Sequence, residues 1–502
     1  MRKIVALLLA LCLCVGIFAG CSNQNPGSGA TTPKVENKPE MQTTVPVVGT
    51  VSAPKYVFLF IGDGMSYPQI QSTSDFLGAL KDEDYFLAQP SLDDNQGATL
   101  DGPEYLNFMN FEAAGSAVTY DSNSFAPDSA STATSISTGR KTYSGTINVD
   151  VTGTETFETI TEKVHGQLGM KVGIISSVNL NHATPAAFYA HQASRNNYYE
   201  IGEELVASGF EYFAGGGLKK TTGYDKENPL PNLYDLAKDA GYTVTFTNEE
   251  AAAINADSGK VILIDEYLAD SDAMAYELDR TDDMWSLADY VEKGIEVLDN
   301  DKGFFMMCEG GKIDWACHAN DAASTIRDTM AFADAIQVAM DFAKDHADET
   351  LIIVTGDHET GAMTMGFAGS GYNLKLELLT NQKCSIGVFH SKLQAAKKAK
   401  KDFTFADAQK LMSENFGFKF TGNASDPMFI KPAELKMLEK AYNSGKLPNA
   451  CRIVMNSKAG IGWNSGNHTA LPVLTTSIGC QAEKFTGFFE NTDISKRLKS
   501  IL

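Results

Sequence analysis

Tyr56-Val57-Phe58-Leu59-Phe60-Ile61 runs without a charged side chain and ends in Gly62-Asp63-Gly64-Met65. A half-exposed strand would alternate apolar and polar residues. A continuous apolar run closed by a glycine turn is instead the pattern of a strand buried on both faces, as in a parallel sheet. Similar runs occur at Lys171-Val172-Gly173-Ile174-Ile175, Val261-Ile262-Leu263-Ile264, Gly303-Phe304-Phe305-Met306-Met307 and Thr350-Leu351-Ile352-Ile353-Val354. Amphipathic helical stretches separate them, such as Asn232 to Ala240 and Thr325 to Ala343. Strand and helix repeated this way predict an α/β fold with a central, mostly parallel sheet sandwiched by helices. Ligands in such folds gather beyond the carboxyl ends of the strands, so the polar residues after each run are the candidates for chemistry.

The stretch from Met365 to Met455 breaks the pattern. It holds a Lys-rich helical piece (Lys392, Lys397, Lys398, Lys400, Lys401), then Ala406 to Asn415, then Lys431 to Asn443. This predicts an inserted cap at about 365–455, with the lysines on a solvated helix face. The 502 residues include 63 acidic and 41 basic side chains, a formal charge of −22, which argues against a nucleic-acid binder. A hydrophobic share of 43% marks a globular chain with a sizeable core.

The N-terminus reads as an address. Arg2 and Lys3 precede an apolar run from Ile4 to Phe18, and Phe18-Ala19-Gly20-Cys21 closes it. Residues 1–20 are a secretory signal by this pattern, and the Ala-Gly-Cys ending is similar to a bacterial lipoprotein signal in which Cys21 is lipidated. Phe18 stands where that signal usually has Leu, and an ordinary signal followed by an incidental Cys is the other reading. Residues 21–53 then form a flexible spacer, leaving 54–502 as the folded domain. The expectation is an exported protein, lipid-anchored to the outer side of the cell membrane, or periplasmic or secreted. No later stretch approaches the roughly 20 apolar residues of a membrane span. Cys308, Cys317, Cys384, Cys451 and Cys480 remain, an odd number with no CxxC: one or two disulfides are possible, but no thiolate metal site is suggested.

The chemistry-bearing residues follow the strands. Asp63 sits in a Gly-Asp-Gly turn, and Asp357-His358 follows the Thr350 run in Thr355-Gly356-Asp357-His358-Glu359-Thr360. In Glu309-Gly310-Gly311-Lys312-Ile313-Asp314-Trp315-Ala316-Cys317-His318, Asp314 and His318 are four apart and share a helix face. Glu309 leaves the strand end and can face a second ion, and His468 lies in a Gly-bounded loop. Oxygen and imidazole donors without thiolate suit catalytic zinc, with magnesium at an oxygen-rich position. His165, His191, His346 and His390 have no such setting. In Pro127-Asp128-Ser129-Ala130-Ser131-Thr132, Asp128 can cap a helix whose first residue is Ser129, at an end that favours anions. Singly, each motif also reads as a turn, a surface loop or a Ser/Thr-rich segment.

Together these elements resemble the alkaline phosphatase family, in its order. They are Ile61 to Met65, Asp128-Ser129-Ala130 with Ser137-Thr138-Gly139, His182-Ala183-Thr184-Pro185-Ala186 with Ser194-Arg195, Glu309 to His318, Asp357-His358, and His468-Thr469. The likeness spans about residues 55 to 480, outside the cap. It implies hydrolysis of phosphate monoesters through a phosphoserine at Ser129, with two Zn²⁺ and one Mg²⁺. Asp314, His318 and His468 would hold one zinc, and Asp63, Asp357 and His358 the other. Asp63, Thr184 and Glu309 would hold magnesium, and Arg195 would grip phosphate with its planar fork. Many members are homodimers. His182 and Trp315 stand where the enterobacterial members have Asp and Lys, which leaves the metal of the third site open. A sulfatase is disfavoured because Ser129 lacks a C/S-x-P-x-R context. A phosphodiesterase or other phosphoryl transferase of the superfamily, and a non-catalytic surface phosphate or metal binder, are the competing functions.

Overall fold

The computed structural model describes residues 52–82, 100–371 and 374–502. The expected signal peptide, Cys21 and all but the end of the spacer lie outside the described residues. In chain order the strands are β1 (Tyr56–Gly62), β2 (Ala113–Val118), β3 (Lys171–Asn179), β4 (Tyr212–Gly216), β5 (Tyr242–Thr245), β6 (Lys260–Ile264), β7 (Phe304–Glu309) and β8 (Thr350–Gly356). The short β9 (Glu359–Thr360), β10 (Met363–Met365), β11 (Ile461–Trp463) and β12 (His468–Thr469) follow, then β13 (Val473–Gly479) and β14 (Gly487–Glu490). Ten of them form one sheet, ordered β14-β2-β13-β8-β1-β7-β3-β4-β6-β5, in which β13 alone runs against its neighbours.

β1 lies at the centre and is buried along its whole length. Because successive side chains point to opposite faces, Val57, Leu59 and Ile61 join one core with Ala130, Ala133 and Ile136. Tyr56, Phe58 and Phe60 join the other, where Phe332 and Ile336 come from the helix Ala322–Asp345. Phe58 meets Phe304 edge-on at 5.2 Å and Phe60 meets Phe332 at 6.0 Å. Each such ring contributes about 1.5–3 kcal/mol by leaving water. The mostly parallel sheet between two helical layers is the architecture the apolar runs predict.

Several strands run further than those runs. β3 continues to Asn179, β7 to Glu309 and β8 to Gly356. Their last residues are polar yet buried, so hydrophobicity stops marking the strand before the pairing stops. The register lines these ends up: Ile61 lies opposite Glu309 on one side and Thr355 on the other, and Glu309 opposite Ser176.

β10 pairs with β11, and between them the described residues form four α-helices, Ile386–Ala399, Phe405–Phe416, Pro432–Asn443 and Leu447–Ala459. They enclose a core of their own around Phe389, Met412, Phe416, Leu438 and Val454. The segment expected as a cap falls within this excursion, and Lys392, Lys398, Lys400 and Lys401 are exposed on it. Cys308, Cys317, Cys384, Cys451 and Cys480 are free. Among the described residues no helix is long and apolar enough to cross a membrane.

His191 gives the fold a pH dependence. Its ring nitrogens lie 3.4 Å from Glu162 and 3.6 Å from Glu204, and its side chain is 17% exposed. Burial alone would lower its pKa, but the two carboxylates outweigh that and raise it to about 10. The protonated ring therefore stabilises the fold in full below pH about 6.5, and its contribution is lost as pH climbs through about 10. Urea denaturation is expected to show stability falling between about pH 7 and 10, with His191→Gln removing most of that slope.

Candidate functional site

The polar residues that follow β1, β7 and β8 converge at one place. Asp63 is fully buried just past β1. Gly64 has φ +70°, and a Cβ there would come within 2.8 Å of Asp314 Oδ1, so the turn needs glycine twice over. Its N–H donates to Asp357 Oδ1 at 3.1 Å, as does that of His358 at 2.8 Å. Asp357 Oδ2 accepts from Thr132 Oγ1 at 3.0 Å.

Two triads result, Asp63–Asp357–His358 and Asp314–His358–His468, each with donor atoms within 4.8 Å of one another. His358 Nε2 is 3.3 Å from Asp63 Oδ1 and 3.4 Å from Asp357 Oδ2. His318, one turn beyond Asp314 on the helix Gly311–His318, places Nε2 3.3 Å from Asp314 and 3.1 Å from His468 Nε2. The other ring nitrogens fix the tautomers. His318 Nδ1 donates to Gly466 O at 2.7 Å, and His468 Nδ1 donates to Pro127 O at 2.6 Å. A carbonyl only accepts, so both Nδ1 atoms carry protons and both Nε2 atoms face inward. Two nitrogen lone pairs at that separation call for a proton or a cation. Thr360 Oγ1 donates to Asp314 Oδ1 at 2.6 Å and steadies the same corner.

A third cluster surrounds the other side of Asp63. Both Asp63 oxygens, Glu309 Oε1 and Thr184 Oγ1 are buried without a hydrogen-bond partner. Glu309 uses only Oε2, which accepts from Ser176 Oγ. Buried polar atoms are rarely left unpaired, and four unpaired oxygens from three residues form a donor set for a hard cation. The electrostatics agree. Burial first, then neighbouring carboxylates, raises Asp63 well above its ordinary range and Asp357 to about 7. Burial, with the Asp357 charge adding to it, also lifts Glu309 to about 8. Asp314 is lowered, because His318, His358 and His468 outweigh its burial, and in return it raises His318 to about 9. These groups repel one another unless positive charge is supplied.

Ser129 opens the helix Ser129–Thr138, capped by Asp128, whose side chain accepts from Ser131 N at 3.1 Å. Its Oγ is 3.1 Å from His358 Nε2, in contact with the cluster. Arg195 Nη1 donates to Asp128 Oδ2 at 2.8 Å, and Nη2 lies 3.4 Å from His182 Nε2. Burial works against both partners of this pair, yet the guanidinium holds Asp128 below the usual carboxylate range and Asp128 raises Arg195. His182 is pushed down to about 3 by burial and then by the Arg195 charge, so its ring is neutral. It meets Trp315 edge-on at 6.0 Å.

Apart from Cys21, which lies outside the described residues, the candidate residues thus form one connected cluster that includes Ser129. Sequence reasoning missed Thr132, Thr360 and Ser176, which orient Asp357, Asp314 and Glu309. Thr132 could have been found, being three residues after Ser129 on one helix face. It also missed Glu359, which accepts from Gln69 Nε2 at 2.8 Å and from Thr469 Oγ1, tying the β9–β12 pair to the helix Tyr67–Lys81.

The family model described as alkaline phosphatase matches residues 54–502. Alkaline phosphatase 4 of Bacillus subtilis is 29% identical, over 100% of this chain and 96% of its own. Alkaline phosphatase 3 of the same organism is 30% identical over 88% of each. Among solved structures, the cold-active alkaline phosphatase from Shewanella sp. superposes with a TM-score of 0.71 at 26% identity, covering 89% of this chain and 99% of that one. Since the family model matches most of its length, residues 54–502, the chain belongs to the alkaline phosphatase family.

Proposed function

We propose that the protein hydrolyses phosphate monoesters to an alcohol and inorganic phosphate, with Ser129 as the nucleophile. The observation that carries this reading is the position of Ser129 Oγ, 3.1 Å from His358 at a helix N-terminus, with Arg195 held alongside by Asp128. Ser129 Oγ forms a bond to phosphorus as the ester P–O bond breaks, and the alcohol leaves with a proton. Water then attacks the phosphoserine, releasing phosphate and restoring the hydroxyl. Arg195 neutralises nonbridging oxygens with the donors that Asp128 does not use. The first-turn N–H groups of the Ser129–Thr138 helix favour the same charge.

The residues fit three dications. Asp314, His318 and His468 would hold one Zn²⁺ and Asp63, Asp357 and His358 a second. Asp63, Thr184 and Glu309, whose unpaired oxygens support the fit, would hold Mg²⁺. When bound, the ions supply Lewis-acid charge beside Ser129 and the phosphoryl oxygens. They also make the pocket locally positive in a chain of formal charge −22. Neutral His182 and Trp315 border the third position, where an imidazole can enter the shell or weaken the preference for Mg²⁺. The N-terminal pattern supports export, with Cys21 lipidated, 1–20 removed and 21–53 spacing the 54–502 domain from the membrane. A homodimer completes this reading, and sedimentation would measure it.

The Ser129→Ala protein is expected to lose phosphate release from an aryl monoester on the order of a thousandfold, while elemental analysis still finds two zinc per chain. Activity surviving the substitution would overturn the nucleophile assignment. Wild-type turnover of diesters above monoesters would favour a phosphodiesterase, and metal uptake without turnover a binding protein. His182→Asp is expected to strengthen the dependence of activity on added Mg²⁺, because a carboxylate replaces a neutral ring. An unchanged Mg²⁺ titration would remove His182 from the third site.

A further inference from the structure

Next to the site, β10, β11 and the helix Leu447–Ala459 border a groove of about 560 Å³. Thr364, Phe367, Arg452, Asn456, Trp463 and Asn464 line it. Its volume is in the range of small-molecule pockets. It lies at the C-terminal end of the helix that carries Asp314 and His318: Asn320, two residues after His318, lines it and donates to Ser465 O at 2.7 Å. Arg452 Nη1 donates to Ala319 O at 2.5 Å, the carbonyl that directly follows His318. By chain geometry the guanidinium is within about 9 Å of the His318 Cα.

The charge of Arg452 is unmatched. Among the described residues the arginines in ion pairs are Arg140, Arg195 and Arg280. Arg452 is half-buried, and its Nε is buried without a partner. Asp321 acts on it from a distance, but the Asp321 oxygens are taken by Ser324, Gln382 and the Ile386 N–H. The half-buried guanidinium keeps donors beyond the one spent on Ala319 O, and a ligand anion would pair with them. Beside it stand two aromatic rings. Trp463 backs the loop that carries His468, packing so closely on Gly361 that a Cβ there would meet the indole at 2.6 Å.

We propose that this groove is the leaving-group subsite. It takes the alcohol part of a phosphate monoester that bears an apolar ring and a second negative group, the ring against Phe367 and Trp463 and the anion on Arg452. This rests on the phosphatase reading, so the test has two arms. The first compares kcat/KM of the metal-loaded protein for phenyl phosphate and 4-carboxyphenyl phosphate. The second measures, by calorimetry, the binding of phenylphosphonate and 4-carboxyphenylphosphonate. Wild-type protein is expected to favour the carboxylated member of each pair by about tenfold, the scale of one charge-assisted hydrogen bond. Arg452→Gln, whose amide can still donate to Ala319 O, is expected to bring both ratios near unity, and Arg452→Lys to keep part of the preference. If Arg452 serves only to hold the Ala319 carbonyl, its loss lowers both substrates together. Unchanged ratios with both esters still turned over would therefore overturn the subsite alone. An Arg452-dependent phosphonate preference with no turnover of either ester would keep the anion site and overturn the hydrolytic reading.

Discussion

Everything at this site depends on holding like charges together. Asp63, Glu309, Asp314 and Asp357 are all buried within one pocket. Two carboxylates about 4 Å apart repel by about 4 kcal/mol at the effective dielectric of a protein. Local contacts such as His358 N–H to Asp357 Oδ1 do not bring them together; the same Asp357 oxygen also accepts from the Gly64 N–H, 293 positions away in the chain. The restraint is the sheet. β1, β7 and β8 are buried on both faces, so sliding any of them by a residue would turn its core side chains to the wrong layer. The same register that satisfies the two cores sets Ile61, Glu309 and Thr355 at one level and launches the acidic loops from it.

A cluster made this way is ready for cations before they arrive. Carboxylates raised by burial and mutual repulsion, together with four unpaired buried oxygens, constitute a destabilisation that bound positive charge removes. Thr132, Thr360 and Ser176 each spend a hydroxyl on one carboxylate oxygen and so fix the rotation of Asp357, Asp314 and Glu309. Rigidity of this kind is what positions a charge-dependent reaction, because donors that need not reorganise lose little on binding.

What the sequence discloses follows from range. The buried parallel strands were legible because six consecutive apolar residues admit few other structures. The acidic and imidazole residues were legible because they stand directly after those strands. β2, in contrast, reads Ala113-Ala114-Gly115-Ser116-Ala117-Val118 and carries little hydrophobic signal; its pairing with β13 and β14 comes from positions more than 350 residues away. The polar ends of β3 and β7 were hidden for the same reason. Ser176 and Glu309 count as strand residues because of their neighbours across the ladder, each other and, on their outer sides, Gly215 and Ile61. The threonines that orient ligands look like any others until the carboxylate they serve is known. His358 belongs to both triads, a sharing that no spacing in the chain could express.

The shared groups also tie Ser129 mechanically to the candidate metal-binding side chains. Pro127 O accepts from His468 Nδ1, and the next two residues are the helix cap Asp128 and Ser129 itself. Asp128 in turn holds Arg195, while the Ser129 hydroxyl touches His358, whose ring stacks on His468 at 3.7 Å. Proline suits this position: it has no N–H to compete, its fixed φ stiffens the approach to the helix, and its carbonyl remains free to accept. A shift of this tripeptide would therefore misplace the imidazole, the guanidinium and the Ser129 hydroxyl together. The short segment 127–129 is thus a single positioning unit that joins the Ser129 hydroxyl to the charged side chains around it.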